Sequence, residues 1–342
     1  MRPKSIEYAN LVITAGDKYF LDLLKHDFWP SIQHGTEVDG HGEVNTYIFR
    51  DTGITSLEGH PFIYGRLVKE MTLNAEQKLD HKQDRLVPSN EAIESAPSSI
   101  FVITLADHKL IFSPETSARA PQVRDFQYCL RYLLETKCRA DRREYINEKL
   151  KANSLTRIPY GDKSEWYLEV DKKFPMPQVD IRTFPSSFSI KEKLARFSRI
   201  TAVQIKTLKK NREYSKEDAE FLKKLEAEET AIHATESSAV FRNPKESLDK
   251  PSASRLIETA NDGNHAVSFS GYSEDGTKLT ANLEQLKFKD YYAPEKGQSL
   301  IQRAASLIGK YKTAITSKVI SIGLPDAGML EKAKKLYKEL SE

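Results

Sequence analysis

Apolar and polar side chains change period along this chain, and each change marks an element. Residues 9–14 form an apolar run that predicts a strand. Ala15, Gly16 and Asp17 then lead into a helix carrying Phe20, Leu21, Leu24 and Phe28, with Asp17 as its expected N-cap. A Gly- and His-rich loop spans His34 to Gly42, and strands are predicted over 45–50 and 61–68. In SSIFVITLADHKLIFSPE two apolar runs flank Asp107 and His108, the pattern of a hairpin. Pro121 suits the first turn of a helix on which Val123, Phe126, Leu130, Leu133 and Leu134 recur at helical spacing.

Beyond this helix, residues 165–170 read as a strand. FPMPQVDIRTFP follows, with prolines that disfavour both helix and ladder, and reads as a hinge. Ser189 precedes a short helix with Leu194 and Phe197, and ITAVQIKTL is a strand rich in β-branched residues. Ser215 with Asp218 resembles a capping arrangement for an acidic helix over 216–230. Asn243 and Pro244 break the chain before a helix over 252–260. AVSFSGYSEDGTKLTANLEQLKF then predicts a second hairpin turning at Asp275 and Gly276. A helix from Ser299 places Leu300, Ala304, Leu307, Ile308, Tyr311 and Ile315 on one face, and a last helix spans 329–340. The expected fold class is α+β: two mixed α/β domains with antiparallel hairpins, over 1–153 and 189–342, joined by a strand and Pro-rich hinge over 154–188.

The length of 342 residues fits two domains, and 30% charged with 39% hydrophobic residues is the balance of a globular chain. No apolar run reaches the roughly 18 residues of a membrane helix, and the first residues lack a secretory core, so a cytoplasmic location is expected. Cys129 and Cys138 lie more than two turns apart on one predicted helix, too far for a disulfide.

Charge changes the picture most. Residues 191–212 hold eight Lys or Arg against one acid, while residues 213–236 hold eight acids against three basic residues. A protein that neutralises several phosphates gains salt-dependent, sequence-independent affinity. The expected DNA-binding residues are therefore Lys191, Lys193, Arg196, Arg199, Lys206, Lys209, Lys210 and Arg212, as one positive surface, with Arg139, Arg142 and Arg143 as a second group. The opposing reading has the acidic helix fold back and neutralise the run. Sparse aromatics favour contact with a duplex backbone over stacking on single strands.

Catalytic motifs are weaker. GxSxG, HExxH, Walker A and Rossmann glycines are absent in context. Asp180, Gln204 and Lys206 have the outline of a Mg²⁺-dependent nuclease, since alternation puts Gln204 and Lys206 on one strand face. His34, Glu37, Asp39 and His41 are metal-binding types in a glycine-rich loop without a rigid His pair, and no metal or other cofactor is expected. A third reading is a protein-binding scaffold that uses the acidic helix.

From the first hairpin onward the order of elements resembles the RexA family of phage-exclusion proteins. The resemblance rests on SSIFVITLADHKLIFSPE, EWYLEVDKKFP, FPSSFSIKEKLARF, AVSFSGYSEDGTKLTANLEQLKF and IQRAASLIGKYKTAI. It implies a hinged two-domain homodimer that binds double-stranded DNA without sequence preference, senses phage replication and signals to an effector protein. It brings no catalytic residues. The helix bearing Leu300, Leu307 and Tyr311 offers either a dimer face or an internal core face.

Overall fold

The computed structural model describes residues 3–33, 35–40, 45–80, 85–115, 117–159, 161, 163–207, 220–232, 234, 237–260, 265–320, 322 and 327–341. Strand β1 (Lys4–Ala15) is buried along nearly its whole length, the polar Glu7 and Asn10 included, as befits a central strand with neighbours on both edges. A short β2 (Lys18–Tyr19) pairs back on it and leads into helix α1 (Phe20–Leu23), which continues through a π turn (Leu24–Phe28) into α2 (Trp29–Gln33). Asp17 is not the cap. Tyr19 occupies that position and its backbone N–H donates to the Asp22 carboxylate, 3.0 Å away. Next come β3 (Val38–Asp39), β4 (Asn45–Leu57), β5 (His60–Asp80) and β6 (Arg85–Ser95), then the expected hairpin of β7 (Ser98–Thr104) and β8 (Lys109–Pro114).

Helix α3 (Val123–Ala152) starts two residues after Pro121 and buries the expected apolar positions. The segment expected as a strand over 165–170 is instead α4 (Lys163–Lys173). Trp166 and Val170, four residues apart, are buried, whereas Tyr167 and Leu168 are exposed, so the operative period is 3.6 and not 2. The Pro-rich segment is likewise no free linker. Strand β9 (Gln178–Thr183) pairs antiparallel with β1 from Thr14↔Gln178 to Ala9↔Thr183, and the prolines lie outside the paired stretch.

Helix α5 (Ser187–Ala195) is capped by Ser186, whose hydroxyl accepts from the Ser189 N–H at 2.9 Å. It is followed by β10 (Arg199–Thr207), α6 (Glu220–Ala231), β11 (Ser237–Arg242), α7 (Lys250–Thr259) and the second hairpin, β12 (His265–Tyr272) with β13 (Lys278–Asn282). The chain ends with β14 (Asp290–Tyr292), α8 (Leu300–Thr316) and α9 (Ala327–Ser341). The Ser215–Asp218 cap lies outside the described residues, and β11 is an element that the sequence pattern does not announce.

Two antiparallel sheets result, an α+β architecture. The larger runs β14-β1-β8-β7-β5-β4-β3, with β2 and β9 on β1 and β6 on β5; the smaller runs β11-β10-β12-β13. One face of the large sheet packs on α1, α2, α3 and the Ala333 side of α9. Its other face is sealed by Ala304, Leu307, Ile308 and Tyr311 of α8. The sheets therefore do not divide where the chain order suggests, because β9, β14, α8 and α9 all belong to the large-sheet unit. The α8 stripe is spent on the core: Leu307 is 0% and Tyr311 3% exposed, which removes it as a dimer face.

Candidate nucleic-acid interface

The small sheet positions the basic strand. Ile200, Val203 and Ile205 of β10 join Ile190 and Leu194 of α5, Ala253 and Ile257 of α7, and Val267 and Phe269 of β12 in one core. With that side committed, alternation sends Gln204 and Lys206 to the opposite face. Strand register carries the face across the sheet. Ala202 lies between Arg242 and Ser270, Gln204 between Val240 and Ser268, and Lys206 between Ser238 and Ala266. On the far side Ser268 pairs with Asn282, Ser270 with Thr280, and Tyr272 with Lys278. A bulge between Ile200 and Ala202 brings Arg199 opposite Tyr272, and the guanidinium lies over that ring, 4.3 Å from its centroid.

This face thus bears Arg199, Lys206, Arg242 and Lys278, and among the described residues no Asp or Glu occupies any of its strand positions. Between the cations stand mostly small or neutral polar side chains, Ser238, Ala202, Gln204, Ser268, Ser270 and Thr280, together with the exposed Val240. Arg199, Gln204, Arg242 and Lys278 are exposed. Four strands about 4.8 Å apart make the face roughly 15 Å wide, and the six residues from Tyr272, opposite Arg199, to Ala266, opposite Lys206, carry it about 20 Å along the strands.

The acidic helix lies behind the sheet. Leu222 of α6 is buried in the core shared with α5 and α7, and Phe221 meets Phe241 edge-on at 5.5 Å. Glu229 accepts from the Ser237 hydroxyl at 2.7 Å. Phe241 and Ser237 alternate with the open-face positions of β11, so α6 packs on the side away from Lys206.

The same geometry separates residues that the sequence groups. Lys191 and Lys193 ride on α5, which packs through Ile190 and Leu194 on the side of the sheet away from Arg199 and Lys206, and Arg196, at the C-cap of α5, pairs with Glu192 at 3.4 Å. Lys209, Lys210 and Arg212 lie outside the described residues. On α3, Arg142 is held by the Phe174 carbonyl at 2.7 Å and the Asp171 carboxylate at 2.8 Å, a packing role, and Arg139 pairs with Glu135 at 3.1 Å. Arg143 is exposed on the same helix.

The nuclease constellation does not assemble. Asp180 sits on β9 of the large sheet beside Arg182, its ion-pair partner, whereas Gln204 and Lys206 are on β10 of the small one. Those strands are not neighbours, as two-point metal binding would need. Of the loop candidates, His34 and His41 lie outside the described residues, and no cluster of His, Cys, Asp or Glu suited to a metal occurs among those described. Cys129 and Cys138 are both free thiols, and burial pushes the Cys129 thiol up to about 12. Among the described residues no helix is long and apolar enough to cross a membrane.

Sequence reasoning does not single out Arg242 and Lys278. A partial signal is present in VSFSGY of β12, where small polar and apolar residues alternate at period 2, the mark of a sheet with one open face. Fold and site together define an α+β chain whose smaller sheet offers a cationic, open face. No protein-family model matches the chain, and no curated protein matches it in sequence.

Proposed function

We propose that this chain binds double-stranded DNA without sequence preference, with the phosphate backbone against the open face of the β10–β13 sheet. The observation that carries the reading is the set Arg199, Lys206, Arg242 and Lys278 on a face without strand carboxylates among the described residues, with the acidic helix behind it. Clustered cations attract phosphates by releasing condensed counterions. Serine and threonine hydroxyls between them suit phosphate oxygens, and the small side chains let a backbone come close. Tyr272 is the one aromatic side chain on the described strand positions of this face, and Arg199 covers its ring, which favours backbone contact over base stacking. Lys209, Lys210 and Arg212 follow the end of β10 within five residues in sequence.

The resemblance to RexA-like proteins supplies the setting of the proposal. In it the chain is a cytoplasmic, non-catalytic component of an anti-phage, abortive-infection system that works as a homodimer and passes a signal to an effector protein.

The test is fluorescence anisotropy on two unrelated duplexes across a salt series, with the parent protein and the Lys206→Glu/Arg242→Glu variant. The parent should bind both duplexes alike, with log affinity falling linearly with log salt. The variant should weaken binding to both and lower the slope by about two units, one for each phosphate that its side chains no longer neutralise. Affinity indifferent to salt, or a folded variant that binds like the parent, would sink the reading.

A further inference from the structure

A second cationic site lies in the large-sheet unit, on residues that the DNA reading does not use. A cavity of about 560 Å³ opens between β4, β5 and the first turns of α3. That volume is in the range of small-ligand clefts, roughly 300–1,000 Å³. Its floor is set by Tyr47 and Lys69, which face each other across β4 and β5, with the Lys69 ammonium 5.7 Å from the Tyr47 ring centroid. Arg119 stands at the lip, and Arg124, Tyr128 and Arg131 follow along α3 at spacings that hold them to one side of the helix.

The charge in this cavity is unbalanced. Among its described lining residues four are cations, and the only carboxylate is Asp125. That carboxylate is already committed to the helix start, accepting from the Gln122 backbone N–H at 2.7 Å. Glu135 stands 4.0 Å from Arg131, at the edge of ion-pair range. Like charges held around one recess repel unless an anion joins them, and guanidinium groups match phosphate oxygens in pairs. A recess of this size admits a mononucleotide-sized anion and not a duplex.

We propose that this cavity binds a small ligand bearing two or more phosphate groups, such as a nucleoside triphosphate, with Lys69, Arg119, Arg124 and Arg131 on the phosphates and the Tyr47 and Tyr128 side of the cavity against the remainder. Such a site gives a DNA-binding chain a second input.

Isothermal titration calorimetry on the full chain with ATP, with pyrophosphate and with a short duplex tests this. ATP should bind with a sub-millimolar Kd, at least tenfold tighter than to an Arg124→Ala/Arg131→Ala variant. Both side chains are exposed, and circular dichroism should confirm that the variant folds. Arg139→Ala, farther along α3, should bind ATP as the parent does. Absence of ATP and pyrophosphate binding at millimolar concentration, or equal binding by the double variant, overturns the proposal. Pyrophosphate binding as tightly as ATP overturns the nucleoside part and keeps the phosphate site. The duplex arm separates the two readings: ATP binding retained by Lys206→Glu/Arg242→Glu while duplex binding is abolished supports two distinct sites, and ATP binding by a parent that ignores DNA removes only the DNA proposal. Duplex binding abolished by Arg124→Ala/Arg131→Ala with no ATP binding to the parent makes the cavity residues part of a nucleic-acid surface and overturns the small ligand.

Discussion

Gly271 shows how one residue holds the candidate interface together. A Cβ built there would stand 2.0 Å from the Arg199 carbonyl oxygen and 2.9 Å from the Ile200 Cα, and both obstacles are backbone. The site is the β10 bulge, where close approach of β12 lets Arg199 reach over Tyr272. Gly271→Ala must therefore push the two strands apart. It is expected to cost about 1–3 kcal/mol, the range for overpacked positions, and to weaken duplex binding by displacing Arg199. Chemical denaturation and anisotropy on the same variant check both parts. A variant as stable as the parent would show that the strands are less closely held than the register implies.

At the scale of elements, α4 departs from the strand expected there because EWYLEV mixes apolar and polar residues in a way that suits either period over so short a span. Its environment decides the matter. Trp166 is covered by the Lys149 ammonium, 4.5 Å from its centroid, Glu169 meets Tyr145 and Lys149, and Arg142 ties α3 to the end of α4. Arg142→Ala should cost about 1.5–3 kcal/mol, the scale of a hydrogen bond to a charged group, and leave duplex affinity unchanged. Urea denaturation beside anisotropy measures this, and weaker DNA binding at unchanged stability would return Arg142 to the phosphate-binding residues.

Helix α7 offers a test in pH. Its cap, Asp249, is held below the usual carboxylate range by the Ser252 side chain first and then by the Ser252 backbone N–H, which donates at 3.0 Å. A lowered folded pKa means that the cap's contribution is full above the unfolded value of about 3.9 and is lost as pH falls through the lower folded value. The Tm difference between the parent and Asp249→Ala should accordingly be largest near neutral pH and shrink in acid. A difference that grows in acid would contradict this assignment of the cap.

For the whole molecule, the consequential feature is the return of the C-terminal helices to the first sheet. Leu307 of α8 sits in the core with Ile6, Tyr8, Val102 and Ile111, and the Tyr311 hydroxyl donates to Asp107 at 2.8 Å. Leu307→Ala should therefore lower stability by about 2–5 kcal/mol, as large-to-small core changes do, without altering the state of association. Sedimentation and thermal melting distinguish the outcomes. Dissociation of an oligomer at unchanged Tm would restore α8 as a contact between copies.

Much of the fold is legible in the sequence because periodicity is local. Residues 123–134, 200–205 and 300–315 each announce an element and its apolar face, and segregated charge announces a cationic segment. Period places a side chain on a face of its own element, however, and is silent on what that face meets. Only the tertiary structure decided that Lys191 and Lys193 stand on the covered side of the small sheet while Arg199 and Lys206 stand on the open one. It also decided that α6 packs behind that sheet through Leu222, and that Arg242 and Lys278, some 36 residues apart in sequence, share its surface with Lys206. The reason is physical. Burial of each apolar face is satisfied by partners distant in the chain, and the polar faces left over inherit their neighbours from that packing.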